Sequence, residues 1–465
     1  MKNGQYGTSG LFKRKLGALF DPSVLTLNDN GKRITILSIL IPKLFEVLYA
    51  KLISSFNTKL ISGYAEDAVG AITSATQIIN IFNTLLAITT LGATILVSIE
   101  IGSGNRERAG TVSATSLFML LFSSFICCSF MFLAADPLLK MLNLSGESLS
   151  YGTSYLKIAG GLLFINATAG FINTMLICNG KAFHSMISAI IANTLNLIFV
   201  FLLLKVKIIP SVTGASAIAT AGEAACFISL VYSLIIFIKT KCPFIPAFDK
   251  SQIKRIYTIG IPGSVAGLSY LFAQTITVGF IGGISIVSLN AYSYINGIIA
   301  YTCIGSAIIS AAVPVFIGRF IGRGDIESVK KFCRITLLFA VGSNGTLSII
   351  AFIFRNELLS IFTSSEEILA MALVIFAIDF IIECFRGVVN VLESALNSCK
   401  DVFTTLGAGI ASSWLCIVML SYVLGTLLGL GLYGCWIAFA LSEIMKATIY
   451  IVRFKRGGWI SHTRI

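Results

Sequence analysis

Apolar residues run along this chain in stretches long enough to cross a bilayer, separated by short polar or charged segments. An apolar run of about 20 residues spans the hydrocarbon core. Such runs fall near 34–56, 68–99, 112–135, 152–178, 186–204, 212–238, 256–281, 286–317, 335–354, 368–397, 403–425 and 429–452. Each predicts a membrane helix, and several are long enough to tilt or to extend beyond the membrane. The pattern then repeats at a constant offset. Pro42 recurs as Pro262, each after an isoleucine, and Ala71 recurs as Ala291. Gly102 and Gly104 recur as Gly322 and Gly324, Gly214 as Gly434, and Glu223 as Glu443. With an even number of runs per half, the second half enters with the orientation of the first. The halves are therefore parallel repeats about an axis along the membrane normal. The expected fold is an all-α membrane protein: twelve transmembrane helices in two six-helix lobes related by a pseudo-twofold axis. A duplicated, membrane-embedded half is the usual plan of a secondary transporter.

The polar breaks set the expected divisions. They are a tail 1–33, a six-helix lobe 34–238, a linker 239–255, a second lobe 256–458 and a tail 459–465. The linker carries Pro243 and Pro246 among its charges and breaks the helical pattern. Matching basic loops, 101–109 and 321–329, follow the second run of each half; their glycines permit a tight exit from the helix. Residues 11–20 form a basic, partly apolar stretch, read as part of a loosely ordered tail.

Composition sharpens this picture. The chain is 56% hydrophobic and 12% charged, which excludes a soluble globular class. The net charge of +13 could suggest nucleic acid, but its placement gives a simpler account. With the N-terminus inside, the outer segments hold only Lys59, Lys140, Lys157, Lys205, Lys207 and Arg355, and most other basic residues fall in cytoplasmic segments. That is the positive-inside asymmetry. It puts both termini in the cytoplasm, in a bacterial plasma (inner) membrane, and no nucleic-acid partner is expected. The 11 cysteines are scattered through apolar runs, with only His184 and His462 for company, so they read as small packing residues. No catalytic constellation, nucleotide loop or metal cluster is present in the sequence. No enzymatic activity and no cofactor are expected.

Ionisable groups at membrane depth are costly, and are paired or functional. The tenth run carries Asp379, Glu383, Arg386, Asn390, Glu393 and Asn397 at spacings of three and four. This places them on one helix face, which must turn to protein or to a wet cavity. Arg386 lies one turn from Glu383 and can neutralise it. The first run has Lys43 and Glu46 as i,i+3 partners, with Asn57 further on. In the last run Glu443 and Lys446 repeat that spacing, and are expected at the membrane interface. Gln77 and Asn80 in the second run, and Tyr270 and Gln274 in the seventh, either tie helices together or line a polar chamber.

With these motifs in place, the chain resembles the multidrug and toxic compound extrusion (MATE) family of the MOP flippase superfamily, from about residue 30 to 460. The resemblance rests on Ile41-Pro42, on Gly92 followed by Ile101-Gly102-Ser103-Gly104, on Asn179-Gly180, on Asn193 and Asn196, and on Gly214 through Thr220. The second half adds Ile261-Pro262, Ile321-Gly322-Arg323-Gly324, Lys400-Asp401, Gly434-Cys435-Trp436 and Arg453 with Gly458-Trp459. It implies a central cavity between two lobes, alternating access, and export of organic cations or amphipathic molecules driven by H⁺ or Na⁺, by a monomer in the lipid bilayer. It also exposes departures. A helix 1 aspartate common in the family is here Asn57, and the helix 5 Asn-x-x-x-Asp reads Asn196 to Val200. Asn196 and Thr220 remain, but both carboxylates are missing. The helix 7 acid is replaced by Tyr270 and the helix 10 acid by Arg386. Neutral amides hold a cation more weakly and cannot cycle a proton. Coupling would then fall to Glu46, Glu223, Asp379, Glu383 or Glu393. A MOP-type flippase for lipid-linked oligosaccharide or another lipid is the alternative. Such a cavity should be net basic, whereas acids outnumber bases in the runs. A channel or receptor fits the duplication less well.

Overall fold

The computed structural model describes residues 22–29, 32–62, 66–142, 144–206 and 214–463. In the first half the spans are α1 (Leu37–Ser62), α2 (Glu66–Gly102), α3 (Arg106–Leu133), a bent α4 (Gly146–Gly160 and Leu163–Cys178), α5 (Ala182–Phe201) and α6 (Gly214–Lys239). In the second they are α7 (Lys250–Ile284), a two-piece α8 (Ile286–Thr302 and Ile304–Gly322), α9 (Ile326–Ile353), α10 (Glu366–Ser398), α11 (Val402–Leu427) and α12 (Gly431–Arg456). Each expected run has become one of these spans. Ten described helices are long and apolar enough to cross a bilayer alone, and the bent α4 makes eleven. α1 is interrupted by Lys43, Glu46 and Lys51, and the first piece of α8 has 17 residues.

The repeated loops behave as their sequence requires. Gly104 and Gly324 take φ of +82° and +72° as α2 and α8 end, a conformation that favours glycine. The next residue caps the following helix. Asn105 accepts from the Arg108 amide, and Asp325 from the Ser328 amide, both at 3.0 Å.

By packing, the described chain forms two compact units. One is Leu37–Ser264; the other joins Val265–Ile465 to the described residues before Leu37. The division differs from the expected linker boundary in two ways. First, residues 239–255 do not hang free. The Ile245 amide donates to the Gly110 carbonyl at 3.2 Å, and the Asp249 amide to Thr115 Oγ1 at 3.1 Å. The start of α7 also stays with the first unit. A methyl group at Gly92 or Gly260 would collide with the backbone carbonyls of Ile256 and Ile88, so these glycines let α2 and α7 pack backbone to backbone. The Glu100 carboxylate, buried in the same unit, pairs with Arg255 at 3.2 Å. Second, part of the expected N-terminal tail is folded. β1 (Thr26–Asp29) pairs antiparallel with β2 (Lys32–Thr35). Val24, Leu27, Ile34 and Ile36 are buried, and Arg323 Nη2 donates to the Asn28 carbonyl at 2.9 Å. The stretch 11–20 lies outside the described residues. At the other end, Gly458–Thr463 forms a 3-10 turn with Trp459 buried and stacked on Phe454.

The core of the second unit gathers Ile295, Ile375, Phe376 and Trp436. That of the first gathers Val200, Ala217, Ile218 and Ala221. In a membrane such packing, with buried hydrogen bonds, is what holds helices together.

Candidate functional site

The second unit encloses a cavity of about 400 Å³ between α7, α8, α10, α11 and α12. Its charged and polar lining includes Tyr270 from α7, Arg386, Asn390 and Glu393 from α10, and Glu443 and Lys446 from α12. The face predicted on α10 turns inward. Asp379 and Glu383 are 1% and 0% exposed, so neither meets lipid.

The break in α8 organises the deep wall. A helix that restarts must satisfy its first amides afresh. Asn344 of α9 supplies the acceptor, taking the Ser306 amide at 3.0 Å. The Asn344 amide group also donates to Ser306 Oγ at 3.0 Å and to Glu383 Oε2 at 3.1 Å. Asn390 Nδ2 donates to Ser306 Oγ at 2.8 Å. Gly305 is required at the break, because a methyl there would strike the Ser343 side chain. Glu383 Oε2 is thus held by the Asn344 amide, and its other oxygen pairs with Arg386.

Arg386 continues the chain of charges. Its Nε lies 3.9 Å from Glu443 Oε1, and Lys446 Nζ donates to that same oxygen at 2.8 Å. Lys446 also lies 5.6 Å above the Tyr270 ring. The expectation of an interfacial Glu443 and Lys446 is overturned. Both are buried, 4% and 8% exposed, because Glu443 falls midway along α12, which runs on to Arg456. Glu393 is partly exposed to the cavity and has no hydrogen bond or ion pair among the described residues. Asp379 lines a smaller chamber of about 30 Å³ with Gln274, Asn296 and Trp436, and its Oδ2 has no partner.

The other candidates lie in the first unit. Asn57 Nδ2 donates to Asn196 Oδ1 at 2.6 Å, so these two amides hold each other. Tyr49 and Thr194 share a 2.7 Å hydrogen bond beside them in sequence. Glu46 pairs with Lys43, as expected from their spacing. Thr220 is tied to its own helix through the Ser216 carbonyl. Gln77 and Asn80 are exposed on α2. Glu223 is buried, and its Oε1 accepts from Asn166 at 2.7 Å. The sequence reading did not single out Asn166, Ser306 or Asn344. The signal for each was an isolated polar residue within an apolar run.

Helix number, duplication and charged interior define an integral, multi-pass membrane transporter. The MatE family model matches residues 42–202 and 262–423, one stretch in each half. The chain belongs to the MatE family. It is similar to the uncharacterized transporter YisQ of Bacillus subtilis, with 27% identity over 434 residues, 92% of this chain and 95% of that protein. It is also similar to a probable multidrug resistance protein NorM of Thermotoga maritima, at 24% identity over 91% of this chain and 92% of that protein. Among solved structures, a MOP superfamily transporter from Pyrococcus furiosus superposes with a TM-score of 0.82 at 16% identity, covering 92% of this chain and 96% of that one. A mutant of the Vibrio cholerae transporter VcmN gives the same TM-score and identity over 91% and 96%.

Proposed function

We propose that this protein is a secondary active efflux transporter that exports organic cations or amphipathic small molecules by alternating access, coupled to H⁺ or Na⁺ entry. The observation that carries this is the charge balance of the second unit's cavity and its wall. Glu393 and Glu443 face Arg386 and Lys446 in the cavity, with Glu383 paired to Arg386 behind it and Asp379 in the adjoining chamber. Glu383 and Glu443 are neutralised by these bases, and Glu393 and Asp379 are left over. A carboxylate without a fixed partner in a low-dielectric cavity favours a cationic guest, and disfavours an anionic lipid-linked sugar. The multidrug resistance assignments of the NorM relatives support the same reading. The protein works without enzymatic chemistry, as a monomer in a bacterial inner membrane, with both termini cytoplasmic by the placement of its lysines and arginines. Inverted vesicles containing the protein should take up a fluorescent organic cation when a proton or sodium gradient is imposed. Uptake no faster than in vesicles lacking the protein, under either gradient, would sink the reading.

A further inference from the structure

The ammonium of Lys446 occupies an unusual position. It is buried on α12, bonded to Glu443 Oε1 at 2.8 Å, and seated 5.6 Å over the face of Tyr270. Glu393 of α10 is a second carboxylate lining the same cavity. An anionic oxygen, a second nearby carboxylate and an aromatic face are the groups that bind a free ammonium ion. All three line the 400 Å³ cavity. The seat already has a cation in it, and that cation is covalently attached. Glu443 Oε2 remains buried with no partner, so the lysine uses only half of the carboxylate. Arg386 does not complete the site. It is committed to Glu383 and approaches Glu443 no closer than 3.9 Å.

We propose that Lys446 is a tethered cation, filling the ammonium seat formed by Glu443, Glu393 and Tyr270, and that a mobile ammonium or alkali cation gains this seat only by displacing it. The flexible four-carbon stem of lysine suits it to leave and return. A built-in competitor raises the threshold for occupancy: a guest must offer apolar contacts as well as charge to win the seat. Small inorganic cations offer none and compete poorly with the lysine. This deepens the efflux reading, on which it rests only for the identity of the displacing cargo.

The test uses the purified full chain. The parent sets the baseline for saturable binding of radioactive Na⁺, and should show no rise in melting temperature with ethylammonium chloride relative to choline chloride. Lys446→Met keeps the stem and removes the charge; it should gain both responses. Lys446→Met combined with Glu443→Gln should lose them again. Equal responses in parent and Lys446→Met, or a gain that survives the Glu443 change, would overturn the proposal. Should Lys446→Met fail to accumulate, the parent itself answers. Acylation of Lys446, followed by mass spectrometry, should increase when tetraphenylphosphonium is added, and unchanged labelling would count against displacement. None of these measurements uses transport. Absence of export would defeat the efflux reading and leave them standing.

Discussion

The two halves share a scaffold but differ at their centres. Glu223 and Glu443 are equivalent by the repeat, and so are Asn166 and Arg386. In the first unit the glutamate accepts from a neutral amide at 2.7 Å. In the second, the arginine at that place lies 3.9 Å from the glutamate and is shared with Glu383. The helices differ accordingly: α2 is continuous over 37 residues, whereas its counterpart α8 breaks at Cys303. The break exposes a backbone amide, Asn344 satisfies it, and the same side chain fixes Glu383. Ser124 stands where Asn344 would be in the first half, and there α2 has no restart to cap. The two halves thus share helix order and loop caps, while the second alone joins Glu383, Arg386, Glu443 and Lys446 into one charged chain. The lesson is that the asymmetry of the two centres comes from a few buried partners, not from a change of fold.

The largest effect should come from Glu383→Gln. It leaves Arg386 without its closest partner, and breaking a buried pair in this way costs about 3–5 kcal/mol. The expected result is poor accumulation and a sharply lowered melting temperature in detergent. Adding Arg386→Met should recover most of that loss. If the single change is tolerated, the charged centre is less consequential than the comparison holds.

Glu393→Gln addresses transport instead of folding. Because Glu393 has no fixed partner, its amide should leave the melting temperature nearly unchanged while abolishing proton-driven export. The measurement is gradient-driven export per unit of protein in the membrane. Parent-like export would return the coupling role to Glu46 or Asp379.

Asn344→Leu tests the α8 break. It removes the acceptor for the Ser306 amide and a donor to Glu383, so a loss of about 1–3 kcal/mol is expected. Ser124→Ala, at the equivalent place in the first unit, should cost clearly less. Equal losses, compared by thermal unfolding, would show that the break is not what sets the halves apart.

The smallest effect contrasts the two loop caps. Asp325→Ala and Asn105→Ala should each cost about 1 kcal/mol near neutral pH. Their pH dependence should differ. Hydrogen bonds from Ser328 hold the Asp325 carboxyl below its ordinary range. Its stabilising contribution is therefore complete above the unfolded-state pKa, and is lost as pH falls through the lowered folded value. Asn105 does not titrate. Melting curves recorded from neutral to acid pH should let the Asp325→Ala deficit shrink while the Asn105→Ala deficit persists.

The helix order and the inward face of α10 were legible because apolar run length and three-four spacing are local signals. The matched glycine exits at 101–109 and 321–329 followed from the repeat, whereas the caps Asn105 and Asp325 within them were not read from it. Lys446 and Glu443 were misplaced because an i,i+3 pair looks the same at an interface and in a cavity; depth depends on where α12 starts and stops. The packing boundary inside α7 was hidden as well. It depends on Gly92 and Gly260 meeting distant carbonyls, which no linear pattern reports. The hairpin had a usable signal in Asn30-Gly31 between short alternating segments. A basic tail was the simpler reading of the same residues.

That hairpin also imposes an order on biosynthesis. β1 and β2 leave the ribosome before the helices of either unit, yet Arg323, which holds the Asn28 carbonyl, is 295 residues further along. At about 5–20 residues per second the strands wait roughly 15–60 s for their docking partner. During that interval the residues of the first unit, Leu37–Ser264, have all been made. The hairpin thus reaches its final place only after α8 has been made, long after its own strands.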